Sequence, residues 1–137
     1  MPGVQGGPFM HAIAAKAIAF ELAAQQDFKN YQQQVIRNAQ TLAQKLQELG
    51  FRVVSGNTDT HLFLVDLRSK NITGKEAELT LAQHNIYVNR NMIPFDQQSP
   101  LITSGIRIGT PFVTSQGKTE KDMAVIAQLI ATILRGI

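Results

Sequence analysis

Cysteine is absent from this 137-residue chain, which excludes disulfides, thiolate nucleophiles and thiolate metal sites. Charge is scarce as well, at 17% of residues against 44% apolar ones, a balance that reads as globular rather than disordered. The thirteen lysines and arginines are spread along the chain, and the net charge is only +3. No basic run with interleaved aromatics marks a nucleic-acid partner. Long hydrophobic runs are missing too. The most apolar stretch, Ala12 to Ala24, is broken by Lys16 and Glu21 and is too short to span a bilayer. It lacks the basic start and small-residue cleavage site of a signal peptide, so a cytoplasmic protein without a membrane partner is expected. His11, His61 and His84 stand far apart with no HExxH pattern, so no metal site is expected. Ser-His-Asp, GxSxG and P-loop patterns are all absent.

What is present amounts to one domain's worth of chain. Pro8 after Gly6-Gly7 suits the first turn of a helix running from about Phe9 to Ala24. Ile13, Ala14, Ala15, Ala17, Ile18, Ala19 and Phe20 surround that helix, which therefore needs apolar cover on every side. A second helix, about Asp27 to Leu49, carries one stripe (Phe28, Tyr31, Val35, Ala39, Leu42, Leu46, Leu49), with Asp27 as N-cap and Gly50 just past its end. Phe51–Ser55 and His61–Leu67 read as strands around a polar turn. Thr73-Gly74-Lys75-Glu76 matches a capping box opening a short helix that Asn85 ends. Ile86–Val88 reads as a strand, Asn89–Thr103 as a long loop and Ser104–Gly109 as a strand. A last helix from near Thr119 carries Met123, Ile126, Ile130, Ile133 and Ile137. Helices that can pack on one face of three or four short strands predict an α+β two-layer sandwich.

The stretch Ser104-Gly105-Ile106-Arg107-Ile108-Gly109-Thr110-Pro111 is the most telling. Ile106 and Ile108 alternate on one strand face, so Arg107 projects from the other, between Gly105 and Gly109. Two glycines would leave its guanidinium in a bare notch, and the planar donor fork suits a carboxylate. Spacing alone leaves open a second reading, an arginine paired with a neighbouring acid. Gln5-Gly6-Gly7-Pro8 opening a helix could hold an anion on free N–H groups or be a simple turn. Asn89-Arg90-Asn91 could serve turn geometry or a ligand.

Taken together these stretches resemble the serine hydroxymethyltransferase family, pyridoxal-phosphate enzymes of one-carbon metabolism. The resemblance runs from Pro2-Gly3-Val4-Gln5-Gly6-Gly7-Pro8 through Met10-His11, His61-Leu62, Leu64-Val65-Asp66-Leu67 and Thr73-Gly74-Lys75-Glu76-Ala77. It ends in Val88-Asn89-Arg90-Asn91, Ile93-Pro94, Ser99-Pro100 and Thr103 to Pro111, and so covers essentially the whole chain. It implies the C-terminal third of an aspartate-aminotransferase-type (fold type I) enzyme. Residues 1–26 would belong to the large-domain and dimer-interface region, and residues 27–137 would form the C-terminal small domain.

By the same resemblance, Arg107 binds the carboxylate of serine or glycine, and Gly6 and Gly7 reach the phosphate of pyridoxal 5'-phosphate. Asn91, Ser99, Pro100 and Leu101 face tetrahydrofolate, with Leu101 standing where the family usually has phenylalanine. The parent would be a cytoplasmic homodimer that interconverts serine and glycine for amino-acid biosynthesis and passes the hydroxymethyl group to tetrahydrofolate. The family's Schiff-base lysine, ring-stacking histidine and pyridine-pairing aspartate lie upstream of the matched stretch. This chain alone is therefore expected to carry no catalytic residue, bind no cofactor and be inactive. A stand-alone small-molecule-binding or interaction domain is the competing expectation. With its first helix uncovered, the chain is expected to fray there or to self-associate.

Overall fold

A computed structural model describes Gly3, Val4 and residues 6–137. Met1, Pro2 and Gln5, which belong to the first motif above, lie outside the described residues. The chain divides into two compact units, Met1–Gln32 and Gln33–Ile137. The first holds α1 (Met10–Ala24) and the start of α2 (Gln26–Glu48). No residue of α1 is buried, and Phe9, Ile13, Ile18 and Phe20 are exposed. Only the extended Gln25 separates the two helices, so Asp27 sits inside the first turn of α2 instead of capping it. There its carboxylate still meets the positive end of the helix dipole.

The second unit is an α+β layer pair. Four antiparallel strands, β1 (Arg52–Val53), β2 (Leu62–Asp66), β3 (Asn89–Asn91) and β4 (Gly105–Gly109), lie in the order β1-β2-β4-β3. Helices α2, α3 (Gly74–Gln83) and α5 (Glu120–Arg135) cover one face. Phe63, Val65, Ile106 and Ile108 meet Leu42, Leu46, Ala77, Leu81, Met123 and Ile130 there. In α5 the buried stripe is Met123, Ala127, Ile130, Ala131 and Leu134, while Ile137 is exposed. The step from 123 to 127, 130, 131 and 134 follows the helical period more closely than the isoleucines do.

Caps define the ends. Thr73 and Glu76 close a reciprocal capping box on α3, and Thr119 and Asp122 close another on α5. Asn85 (φ 60°) ends α3, and Gly50 (φ 85°) ends α2. Gly74 could hold no other residue. A Cβ there would lie 2.0 Å from Thr103 Oγ1 and 2.3 Å from the Gly105 carbonyl oxygen, so the first turn of α3 rests directly on the start of β4.

The sequence reading misplaces one strand. Ile86–Val88 is not extended ladder; Ile86 and Val88 pack against the core while Tyr87 is exposed, and the strand is Asn89–Asn91. Pairing with β4 (Asn89↔Arg107, Arg90↔Ile106, Asn91↔Gly105) outweighs the poor strand propensity of asparagine. A short helix, α4 (Pro111–Ser115), also occupies a stretch with no apolar periodicity.

Candidate functional site

The uncovered face of the sheet holds the site. Register places Arg107 on β4 between Leu64 on β2 and Asn89 on β3. Ile106 and Ile108 are buried beneath it, and Arg107 is exposed on the opposite side, as the alternation requires. The next row along is Arg52, Asp66, Gly105 and Asn91.

The glycine notch is only half there. Gly109 is exposed, and a Cβ on it would make only ordinary contacts, the nearest 3.5 Å from the His61 carbonyl oxygen. Gly105 is buried: a Cβ there would lie 2.5 Å from Ile93 Cγ2 and 2.8 Å from the Val65 carbonyl oxygen. The chain leaving β3 folds back over Gly105, so glycine is needed for close approach and not to leave space. The opening beside Arg107 lies on the Gly109 side.

The alternative reading, an arginine spent on a neighbouring acid, fails on the partners. Arg37 pairs with Glu120 at 3.1 Å, Arg90 with Glu78 at 2.9 Å, and both Arg52 and Arg68 with Asp66. Arg135 donates to the Leu49 carbonyl at 2.8 Å. Among the described residues Arg107 has no carboxylate. Its Nη2 donates to the neutral amide oxygen of Asn89 at 3.2 Å. Asp66 is the acid diagonal to it, opposite Gly105 in the register. Burial works to raise the Asp66 pKa, but hydrogen bonds from Arg68 and Arg52 outweigh it and hold the carboxyl below its usual value. Asp66 is thus charged, buried and already claimed, and the Arg107 fork stays open.

The loop between β3 and β4 is built on Asp96. Its carboxylate accepts from Ser104 Oγ at 2.6 Å, Ser104 N at 2.8 Å, Gln98 N at 2.9 Å and Ile93 N at 3.2 Å, drawing both ends of the loop together. Ser99 anchors the return, its carbonyl accepting from Ile102 N and Thr103 N. Thr103 sits in the left-handed region (φ 59°), costly for a β-branched residue. It is held there by its hydroxyl on the Gly105 carbonyl at 3.0 Å and by its own carbonyl accepting from Gly74 N.

A family model described as serine hydroxymethyltransferase matches residues 1–130. The chain belongs to the serine hydroxymethyltransferase family. It is 57% identical over 136 residues to the serine hydroxymethyltransferase of Bartonella tribocorum, an alignment that covers 99% of this chain and 31% of that protein. The chain therefore spans about a third of the length of that relative.

Of the residues singled out in the sequence, Arg107 and Asn91 share the open face, two residues apart in register. The Asn91 amide nitrogen donates to the Met92 carbonyl at 2.7 Å. Ser99, Pro100 and Leu101 are exposed on the loop, whose tie to β3 is the Leu101 carbonyl accepting from Arg90 Nη1 at 2.7 Å. Arg90 pairs with Ile106 in the register and with Glu78 of α3, so that tie lies on the helix side rather than beside Arg107. Gly6 and Gly7 belong to the other unit. Neither has positive φ, and a Cβ on either would meet nothing within 4 Å. Neither a close approach nor a positive φ within their unit requires glycine at these positions. No helix among the described residues is long and apolar enough to cross a membrane, and no group of three or more metal-ligating side chains occurs among them. Reading the sequence left the role of Asn89 undecided; its signal is the two-residue spacing from Asn91, which puts both amides on the Arg107 face of a strand.

Proposed function

We propose that this chain is the carboxylate-anchoring, C-terminal part of a fold type I enzyme that interconverts serine and glycine and passes the hydroxymethyl carbon to tetrahydrofolate. The observation that carries this reading is the open Arg107 fork on an uncovered sheet face. Two parallel N–H donors there match the two oxygens of an amino-acid carboxylate, which fixes the orientation of the bond to be broken. Pyridoxal 5'-phosphate, when bound, supplies the electron sink for that carbon–carbon cleavage. Gly6 and Gly7 would offer backbone N–H groups to its phosphate. Asn91, with Ser99, Pro100 and Leu101, would line the folate side. Residues 1–26 are assigned to the large-domain and dimer region of a homodimer and residues 27–137 to the small domain. Catalysis belongs to the full-length protein, and the 137-residue chain alone is proposed to be inactive.

Arg107→Ala in the full-length protein tests the reading. Loss of a bidentate charged pair costs about 2–4 kcal/mol, so the KM for serine and the Kd for glycine should rise by about thirty- to a thousandfold. Wild-type affinity for both would refute the role of Arg107.

A further inference from the structure

Among the described residues every other arginine has a carboxylate or a backbone carbonyl as a partner, Arg37 adding the Gln34 amide to its Glu120 pair, whereas Arg107 is met by a neutral side-chain amide and no acid. We propose that Asn89 is a positioning residue for Arg107: it aims the guanidinium across the open sheet face without neutralising it, and so sets the affinity for the amino-acid carboxylate. The inference rests on the assignment of Arg107 above and adds a residue to it.

Three observations carry it. Asn89 lies directly opposite Arg107 in the ladder, where side chains on one face are nearest neighbours. Its Oδ1 accepts from Nη2 at 3.2 Å. Nη2 carries two hydrogens, one on the edge it shares with Nε and one on the edge it shares with Nη1. Whichever of them Asn89 takes, the other edge keeps two parallel donors for a carboxylate. The acceptor must also be uncharged. A carboxylate at position 89 would close on the fork as Glu78 and Glu120 do on theirs and would repel an incoming carboxylate. On the β2 side Arg107 faces only Leu64, so nothing else across the ladder steadies it.

The test uses the full-length, cofactor-loaded protein, with glycine as the calorimetric probe and serine kinetics beside it. Asn89→Asp should raise the glycine Kd and the serine KM by about tenfold or more, since a like charge now stands beside the ligand. Asn89→Ala, which removes one hydrogen bond to a charged donor, should raise both by about three- to tenfold and leave kcat within about twofold. Asn89→Gln keeps the amide oxygen and should recover most of the loss. Asn89 is exposed on an edge strand, so melting temperatures should not move. Wild-type glycine affinity in Asn89→Asp, with Arg107→Ala weakened, overturns this inference alone. Wild-type affinity in Arg107→Ala overturns the assignment of Arg107 and this one with it.

Discussion

Ile106 and Arg107 are consecutive residues on the same central strand, and they do opposite things. Ile106 is fully buried among Leu81, Met123 and Ile130, while Arg107 is exposed and has no ion-pair partner among the described residues. The helix-covered face of the sheet collects the branched apolar side chains. The open face collects Arg52, Asp66, Asn89, Asn91 and Arg107. A period of two lets one strand serve both, so stability and ligand chemistry can change on it independently. On the open face Asp66 is buried under its two arginines, whereas Asn89 and Arg107 stay exposed.

The sharpest way to break that division is Ile106→Ala. The side chain is fully buried at the centre of the core, and removing it costs about 2–5 kcal/mol. In the full-length protein this should appear as faster hydrogen exchange at the Val65 and Ile106 amides, with glycine affinity kept while the domain stays folded. Protection unchanged within about 0.5 kcal/mol would mean that the helix layer is not what holds β4.

A smaller effect is expected where the β3–β4 loop passes round the sheet, covering Gly105 with Ile93 on the open face and tied to Arg90 on the helix side. Burial works to raise the Asp96 pKa, but the Ser104 hydroxyl and the Gln98, Ser104 and Ile93 N–H groups outweigh it and bring it to about 2. A carboxyl depressed below its ordinary value of 3.8 stabilises the fold above about pH 4. That contribution is lost as the pH falls toward 2. Discounted for partial exposure, it is worth about 1–2 kcal/mol near neutral pH. Asp96→Asn should lose about that much at pH 7 and almost nothing at pH 2. An equal loss at both values would show that the charge plays no part.

The two faces were unequally legible in the sequence. The apolar alternation of Ile106 and Ile108 and the capping box at Thr73 are local signals, and the structure places them as read. The edge strand was not legible in this way. Asn89–Asn91 is extended because β4 lies beside it, a partner fourteen to eighteen residues away that local propensity does not register. Asn38 escaped notice for the same reason. It is buried on the apolar stripe of α2, where its amide donates to Thr114 Oγ1 at 2.8 Å and to the Lys118 carbonyl at 2.9 Å. The half-closed notch is a third case, since Gly105 is covered by Ile93, twelve residues earlier in the chain. In the candidate site, the arginine was readable from alternation, and its freedom from carboxylates was not. That freedom depends on Asp66 being engaged by Arg68, two residues on, and by Arg52 from the neighbouring strand β1.

The smallest expected effect is the most discriminating. Arg107→Ala removes an exposed side chain that, among the described residues, bonds to an exposed amide and to no acid, so the stability of the domain should change by less than about 0.5 kcal/mol. The same substitution is expected to cost most of the affinity for glycine. Measured side by side, hydrogen exchange at Ile106 and calorimetry with glycine should therefore separate completely in this variant and reverse in Ile106→Ala. A loss of more than about 1 kcal/mol in Arg107→Ala would mean that the arginine holds β3 against β4, and that its open fork is a by-product of that structural role.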